Sequence, residues 1–165
     1  MGLQKTGENW RDWLHEWGDR FLLFARQQSG SHAEAEDILQ EAIVHVWSKR
    51  ELFPTIEPGI IFTHIRRVAI DKARKNSRRR VREEAYAKQQ VSPFFEPDQD
   101  GFSEQLQLAL GQIPLEQRVV VVLKIWGEQT YESIGKTLDI SANTAASRYR
   151  YGLDNLRKCL KGVEV

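Results

Sequence analysis

The chain has 165 residues, which is enough for one ordinary domain or two small ones. Cys159 is its only cysteine, so an intramolecular disulfide and a cysteine-based zinc site are both excluded. The formal net charge of +1 neither indicates nor excludes a nucleic-acid partner. Residues 1–20 lack the apolar run of a signal peptide, and no stretch reaches the roughly 20 apolar residues of a membrane span. We therefore expect a cytoplasmic protein without membrane insertion.

The first half of the chain has the apolar periodicity of helices. Aromatic residues recur at steps of three and four from Trp10 to Phe24, which predicts a helix near 8–28. Further apolar faces predict helices near 33–50 and about 60–88. Two prolines favour a loop between these two helices, because proline disfavours helix in the residue before it.

The second half begins with a predicted linker at 89–103, which contains prolines, a glycine and acidic residues without periodicity. The run from Val119 to Val122 is β-prone by composition. It lies in a helix-length frame between two helix-breaking residues, so we expect a buried helix there. The helices predicted beyond the linker are near 103–112, 115–126, 130–138 and 141–161.

These elements predict an all-α fold of two small helical domains joined by a linker. The expected boundaries are 1–88 for the first domain, 89–103 for the linker and 104–165 for the second domain. Modules of this size can just build their own cores, so each is expected to be only marginally stable alone.

The clearest motif lies between Thr130 and Tyr151. Thr130 can cap a short helix, Asp139 suits a left-handed turn position, and Ser141 can cap the next helix. Two capped helices joined by so short a turn form the plan of a helix-turn-helix.

A helical projection of the second helix of this motif separates an apolar face from a polar one. The polar face carries Asn143, Ser147, Arg150 and Tyr151, with Arg148 at its edge. Such side chains can contact base edges and phosphates in a DNA major groove. The alternative is an ordinary solvated helix of a bundle, which the capped two-helix spacing disfavours.

Charge is unevenly distributed in the first half. Segment 34–41 is acidic, and the projection of its helix places Val44 among acidic residues on the outward face. An aliphatic side chain in that setting indicates a protein-binding patch, although a stray surface valine explains it equally well. Segment 64–82 holds nine lysines and arginines and one acid, Asp71. A solvated helix face normally mixes signs, so this one favours binding to nucleic-acid phosphates.

Taken in order, these segments resemble the sigma-70 superfamily, specifically its two-domain extracytoplasmic-function group. Residues 35–42 look like the region-two segment that binds the polymerase clamp helices, and residues 62–74 resemble the helix that recognises the −10 element. Residues 113–118, 131–135 and 144–148 are similar to region four, which binds the −35 element.

The resemblance implies an alternative sigma factor with core RNA polymerase, promoter DNA and an anti-sigma factor as partners. The core-polymerase-binding residues would be Asp37, Gln40, Glu41 and Val44. Contacts to −10 DNA would come from Arg66, Arg67, Lys72, Arg74, Lys75 and Arg78. Contacts to −35 DNA would come from Asn143, Thr144, Ser147, Arg148, Arg150 and Tyr151.

The sequence departs from the family pattern at several positions. Asn143 stands where glycine is usual, Ala145 replaces a β-branched residue, and Ala146 replaces a base. Arg150 and Tyr151 could supply the lost contact. The −35 sequence therefore cannot be carried over from the family, and the loop 51–59 differs enough to leave its extruded −10 base unassigned.

Two other functions compete with this interpretation. A stand-alone helix-turn-helix transcriptional regulator explains 130–161 but gives no joint purpose to the acidic and basic helices. An enzyme is disfavoured, because we do not expect the four histidines to cluster with each other and no phosphate-binding or dinucleotide motif occurs. Glu41 and His45 form an i,i+4 pair that could bind a metal, and we do not expect them to do so. No catalytic residue, metal or cofactor is expected.

Overall fold

The computed structural model describes residues 7–80 and 104–162, and the regular elements within them are helices. They are α1 (Gly7–Arg26), α2 (His32–Ser48), a 3-10 helix (Arg50–Leu52), α3 (Pro58–Arg80), α4 (Glu104–Gln112), α5 (Leu115–Ile125), α6 (Tyr131–Leu138) and α7 (Ala142–Lys161). The predicted all-α class is confirmed. No helix among these residues is long and apolar enough to cross a bilayer.

The helix ends differ from the expected ones by one or two residues, apart from α3. That helix was predicted to reach 88, and residues 81–88 lie outside the described residues, as does the predicted linker 89–103. It starts at Pro58, which the sequence had placed in the loop. Proline fits this first helical position because its missing N–H would have no partner there.

Aromatic packing holds the N-terminal half together. The ring of Phe62 on α3 meets the rings of Phe21 and Phe24 on α1 edge-on, with centroids 5.0 and 5.4 Å apart. All three side chains are fully buried. Edge-to-face geometry adds about 1 kcal/mol per pair to the free energy of burial. These contacts fix α3 against α1 and leave its opposite face for the solvent.

Helix α2 begins at a well-formed N-cap. The Ser31 hydroxyl accepts the Glu34 N–H at 3.1 Å, and the Glu34 carboxylate accepts the Gly30 N–H at 2.8 Å. Together these bonds satisfy two backbone donors that a helix start leaves free. Ile38, Ala42 and Val46 then face the core.

In the C-terminal half, α5 is the central helix and packs against α6 and α7. The side chains of Val119 to Val122 are all buried, so the β-prone run is a helix, as predicted. Burial on every side overrides the weak local preference of valine for strands.

The two halves of the described chain contact each other. Helix α3 packs against α6, and α1 packs against α5. The buried apolar side chains of both halves belong to one contiguous cluster. The arrangement places the N-terminal end of α3 beside the first helix of the helix-turn-helix.

Candidate functional site

The outward face of α2 presents the predicted polymerase-binding residues together. Asp37, Gln40, Glu41 and Val44 are all exposed and line one shallow cleft. Val44 is 66 % exposed although it is aliphatic. The core-facing residues of α2 are buried, so the helix is well packed and Val44 is exposed because of the face on which it lies.

Lys72 connects this face to α3. Its ammonium group lies 3.3 Å from the Glu41 carboxylate, and Lys72 also lines the cleft. Lys72 was predicted to contact −10 DNA and Glu41 to contact polymerase. The structure therefore joins two surfaces that the sequence treats as separate.

The basic face of α3 is exposed from Arg67 onward. Arg67, Arg74 and Lys75 are exposed and share this part of the helix with Asp71. The side chain of Arg78, which was predicted to join them, lies outside the described residues. The apolar periodicity of α3 places Ala73 on the same side as Ile65 and Ala69, but Ala73 is exposed.

Arg66 differs from its predicted DNA-binding neighbours. It is half-buried, and its guanidinium donates a hydrogen bond of 2.7 Å to the side-chain oxygen of Gln28. Burial lowers the pKa of Arg66 from its ordinary value, because desolvation disfavours the charged form. The geometry gives Arg66 a role in holding α3 to the end of α1.

Two histidines lie next to each other at the α2 face, where His45 is exposed and lines the same cleft, so the expectation that the histidines do not cluster is wrong for this pair. The rings of His45 on α2 and His64 on α3 have centroids 5.1 Å apart. The His64 Nδ1–H donates to the Ile60 carbonyl at 2.8 Å. Burial lowers the pKa of His64, and Arg67 and Lys49 lower it further by charge repulsion. Within residues 7–80 and 104–162, no group of three His, Cys, Asp or Glu is placed to hold a metal.

The turn of the helix-turn-helix has the predicted chemistry. Thr130 and Ser141 cap the two helices by accepting the N–H of Ser133 at 3.1 Å and of Thr144 at 3.0 Å. Asp139 has φ 56° and ψ 51°, the left-handed conformation expected there. These three predictions are confirmed.

Gly135 is required by the close approach of the two helices. A Cβ atom at this position would lie 2.6 Å from the backbone oxygen of Ile140, closer than real Cβ contacts. The Ile140 N–H in turn donates to the Gly135 carbonyl at 3.0 Å. The turn is therefore held from both sides, which fixes the direction of α7.

The outer face of α7 is open to solvent. Asn143, Ser147, Arg150 and Tyr151 are exposed, and the Arg150 guanidinium lies 5.2 Å from the centre of the Tyr151 ring. Tyr151 is 56 % exposed, a large value for an aromatic residue. Ala145 and Leu156 are buried on the opposite side. A rigid helix with such an outer face has the shape and the donors to enter a major groove.

Two of the predicted −35 residues have partners within the protein. Arg148 lies 3.8 Å from the Glu116 carboxylate, and the Thr144 hydroxyl accepts a hydrogen bond of 2.9 Å from Ser141. Both interactions are on the surface, where DNA could compete for the side chains. The partners Glu116 and Gln28 could not be predicted from the sequence, because both contacts depend on how helices distant in sequence are packed.

Comparison with known proteins agrees with this geometry. The model described as "Sigma-70 region 2" matches residues 13–79, which contain α2 and most of α3. The model described as "Sigma-70, region 4" matches residues 103–156, which contain the helix-turn-helix.

Several curated proteins are similar over most of the chain. The ECF RNA polymerase sigma factor RpoE of Cereibacter sphaeroides is 30 % identical over 141 residues, covering 79 % of this chain and 75 % of the relative. The ECF RNA polymerase sigma factor SigE of Mycolicibacterium smegmatis is 29 % identical over 170 residues. That match covers 96 % of this chain and 64 % of SigE.

A solved structure has the same fold. It is the sigma factor RpoE in complex with the anti-sigma factor NepR from Bartonella quintana, with a TM-score of 0.78. The match covers 96 % of this chain and 99 % of the solved one at 22 % sequence identity. The chain belongs to the sigma-70 family, within its ECF group of RNA polymerase sigma factors.

Proposed function

We propose that this ECF sigma factor binds core RNA polymerase and directs it to promoters whose −10 and −35 elements it recognises. The observation that carries the proposal is the outer face of α7, where Ser147, Arg150 and Tyr151 are exposed on a helix held by a capped turn. Polymerase carries out the catalysis, and the chain contributes binding.

Each surface has a separate task. The α2 face, with Asp37, Gln40, Glu41 and Val44, binds core polymerase, and its exposed aliphatic side chain provides the apolar centre of the contact. The α3 face binds DNA near −10 through Arg67, Arg74 and Lys75, whose positive charges replace condensed counterions on the phosphates. Residues 1–88 and 104–165 act as the two domains, with 89–103 as the linker.

An anti-sigma factor is a further proposed partner. The support is the structural neighbour, which is a sigma factor in complex with one. A stand-alone helix-turn-helix regulator is less well supported, because it would leave the exposed α2 face and the basic α3 face without a function.

Core binding is the first test. The full chain is mixed with core polymerase and passed over a sizing column, with and without promoter DNA. We expect the chain to elute with core enzyme and to protect DNA at both elements only when core enzyme is present. Protection at −35 by the chain alone, with no elution beside core enzyme, would favour the stand-alone regulator.

A further inference from the structure

The ion pair between Glu116 and Arg148 joins the start of α5 to the edge of the outer face of α7. The Arg148 Nη2 lies 3.8 Å from the Glu116 Oε2. The side chain of Arg148 is 30 % exposed, whereas that of Glu116 is 76 % exposed. The guanidinium is therefore partly covered, and the carboxylate stands in the solvent beside the face that Ser147 and Arg150 share.

The backbone that carries Glu116 is well anchored. The Pro114 carbonyl accepts the N–H groups of Gln117 and Arg118 at 3.0 and 2.9 Å, which closes the first turn of α5. The Arg118 guanidinium donates to the Ile113 carbonyl at 3.0 Å, which ties this turn to the residue that follows α4. Glu116 lies within the turn, where the positive end of the helix dipole favours a negative side chain.

A close crossing fixes α7 against this part of α5. A Cβ atom on Gly152 would lie 3.1 Å from the Gln117 Cβ and 3.3 Å from the Gln117 backbone oxygen. The Asn155 amide donates to the side-chain oxygen of Gln117 at 2.7 Å. Gly152 and Asn155 follow Arg148 by about one and two helical turns, so they lie on the same side of α7. The position of Glu116 beside Arg148 is therefore set by the packing of the two helices and not by the ion pair itself.

An arginine at the edge of a DNA-binding face has two competing targets. Phosphates attract it strongly but carry no sequence information, whereas the O6 and N7 atoms of guanine bind an arginine in one orientation. A carboxylate beside the guanidinium offsets its charge and repels a phosphate at the same place. It leaves other N–H groups of the guanidinium free to donate. A fixed carboxylate therefore favours the reading of a base over binding to the DNA backbone.

We infer that Glu116 is a positioning residue for −35 recognition, which keeps Arg148 away from the phosphates so that Arg148 reads a base. The inference rests on the proposed function, because that function supplies the −35 DNA. Glu116 makes no base contact of its own and acts only through Arg148. Its place at the start of α5 puts a determinant of DNA specificity outside the helix-turn-helix.

A double-mutant cycle on holoenzyme tests this role. Wild type, Glu116→Gln, Arg148→Ala and the double variant are each assembled with core polymerase and titrated with a library of −35 sequences. Glu116→Gln should reduce the preference at one position by about fivefold to tenfold, as expected when an arginine no longer holds a base. It should also bind DNA without a −35 element more tightly. Its affinity should fall more steeply with salt, by about one further phosphate contact.

Glu132→Gln is the matched control. It removes the same charge from an exposed position on α6 and should leave the preference at every −35 position unchanged. In the Arg148→Ala background, Glu116→Gln should likewise leave base preference unchanged, because the side chain through which it acts is gone. The melting temperature of Glu116→Gln should change little, since this side chain is exposed.

The contrary results differ in what they overturn. Unchanged base preference in Glu116→Gln, when wild-type holoenzyme does have a preference, would overturn the inference and leave the proposed function standing. An effect of Glu116→Gln that persists in the Arg148→Ala background would also overturn it, since Glu116 would then act without Arg148. A wild-type holoenzyme with no preference at −35 would overturn the proposed function and this inference with it.

Discussion

The two halves of the molecule hold their predicted contact residues in different ways. In the N-terminal half, Arg66 is bonded to Gln28 and Lys72 is paired with Glu41. In the C-terminal half, caps and a left-handed turn fix the backbone of α7, while the Ser147 side chain has no hydrogen bond to any described residue. The first half thus combines binding and packing in the same side chains, whereas in the second half Arg148 and Thr144 have partners within the protein and Ser147 does not.

This difference determines what a substitution is expected to change. On α7, loss of an outer side chain should weaken DNA binding and leave folding intact. On α2 and α3, the result depends on whether the chosen residue is exposed or tied to a neighbouring helix. The variants below test this distinction, from the largest expected effect to the smallest.

The largest effect is expected on the α2 face. Asp37→Arg combined with Glu41→Arg should abolish co-elution with core polymerase, because both carboxylates and their charge are lost from the centre of the contact. The melting temperature should change little, since both positions are exposed. Glu132→Arg with Asp154→Arg makes the same charge change elsewhere and should leave binding intact. Equal loss in both double variants would mean that net charge, and not this face, controls binding.

The turn of the helix-turn-helix should be the most sensitive point for folding. Gly135→Ala forces a Cβ to within 2.6 Å of the Ile140 oxygen and should lower the free energy of unfolding by about 1–3 kcal/mol. Gly18→Ala on α1 meets nothing within 4 Å and should raise it by about 0.5–1 kcal/mol. Urea titration of both variants measures the contrast. Equal free energies of unfolding for the two variants would show that the turn can shift to accommodate a Cβ atom at position 135.

DNA recognition should depend on Arg150. Arg150→Ala should cost about 1–3 kcal/mol of promoter affinity and relax the preference at one position of the −35 element, if the side chain contacts a base. Arg11→Ala on α1 removes the same charge from another exposed site and should have little effect. Affinity is measured on holoenzyme with a library of −35 sequences. A uniform loss across all sequences would make Arg150 a phosphate contact.

Arg66 and Arg74 should separate stability from DNA binding on one helix. Arg66→Ala removes a charged hydrogen bond to Gln28 and should lower the free energy of unfolding by about 1 kcal/mol. Arg74→Ala is exposed and should leave stability unchanged within about 0.5 kcal/mol while weakening DNA binding uniformly. Urea titration and salt-dependent binding separate the two. An effect of Arg66→Ala on DNA binding alone would restore it as a DNA contact.

The smallest effect is a dependence of stability on pH. His64 is half-buried, and this burial, together with the nearby His45, Arg67 and Lys49, lowers its pKa from the ordinary value of 6.5, so the unfolded chain binds the proton more readily. Stability should therefore fall as pH drops below about 6.5, the unfolded value, until the folded group is also protonated. His64→Gln should flatten this part of the curve, while His15→Gln, on an exposed site, should not. The same slope in both variants would assign it to other groups.

Local chemistry made much of the fold predictable from sequence. Thr130, Asp139 and Ser141 define the helix-turn-helix through caps and a turn conformation that depend on few neighbours. The periodicity of the aromatic residues likewise located α1. These signals depend only on residues that are close together in the chain, so they can be recognised from the sequence alone.

The partners of the site residues could not be predicted in the same way. The contacts of Arg66 with Gln28 and of Thr63 with Thr137 join residues 38 and 74 positions apart. They arise from how whole helices pack, and neither pair has a spacing that distinguishes it from other polar residues. The exposure of Ala73 was missed for a similar reason. Periodicity shows which residues share one face of a helix, but it does not show which of them other helices cover.

The most direct test of the central claim is run-off transcription with purified core polymerase, supplied with the chain and a promoter selected by the holoenzyme. We predict transcripts from a defined start only when the chain is present. They should be absent with Asp37→Arg and Glu41→Arg, and reduced with Arg150→Ala in proportion to its lost promoter affinity. Specific transcripts without the chain, or none with it on any selected promoter, would contradict its assignment as a factor that directs polymerase to promoters.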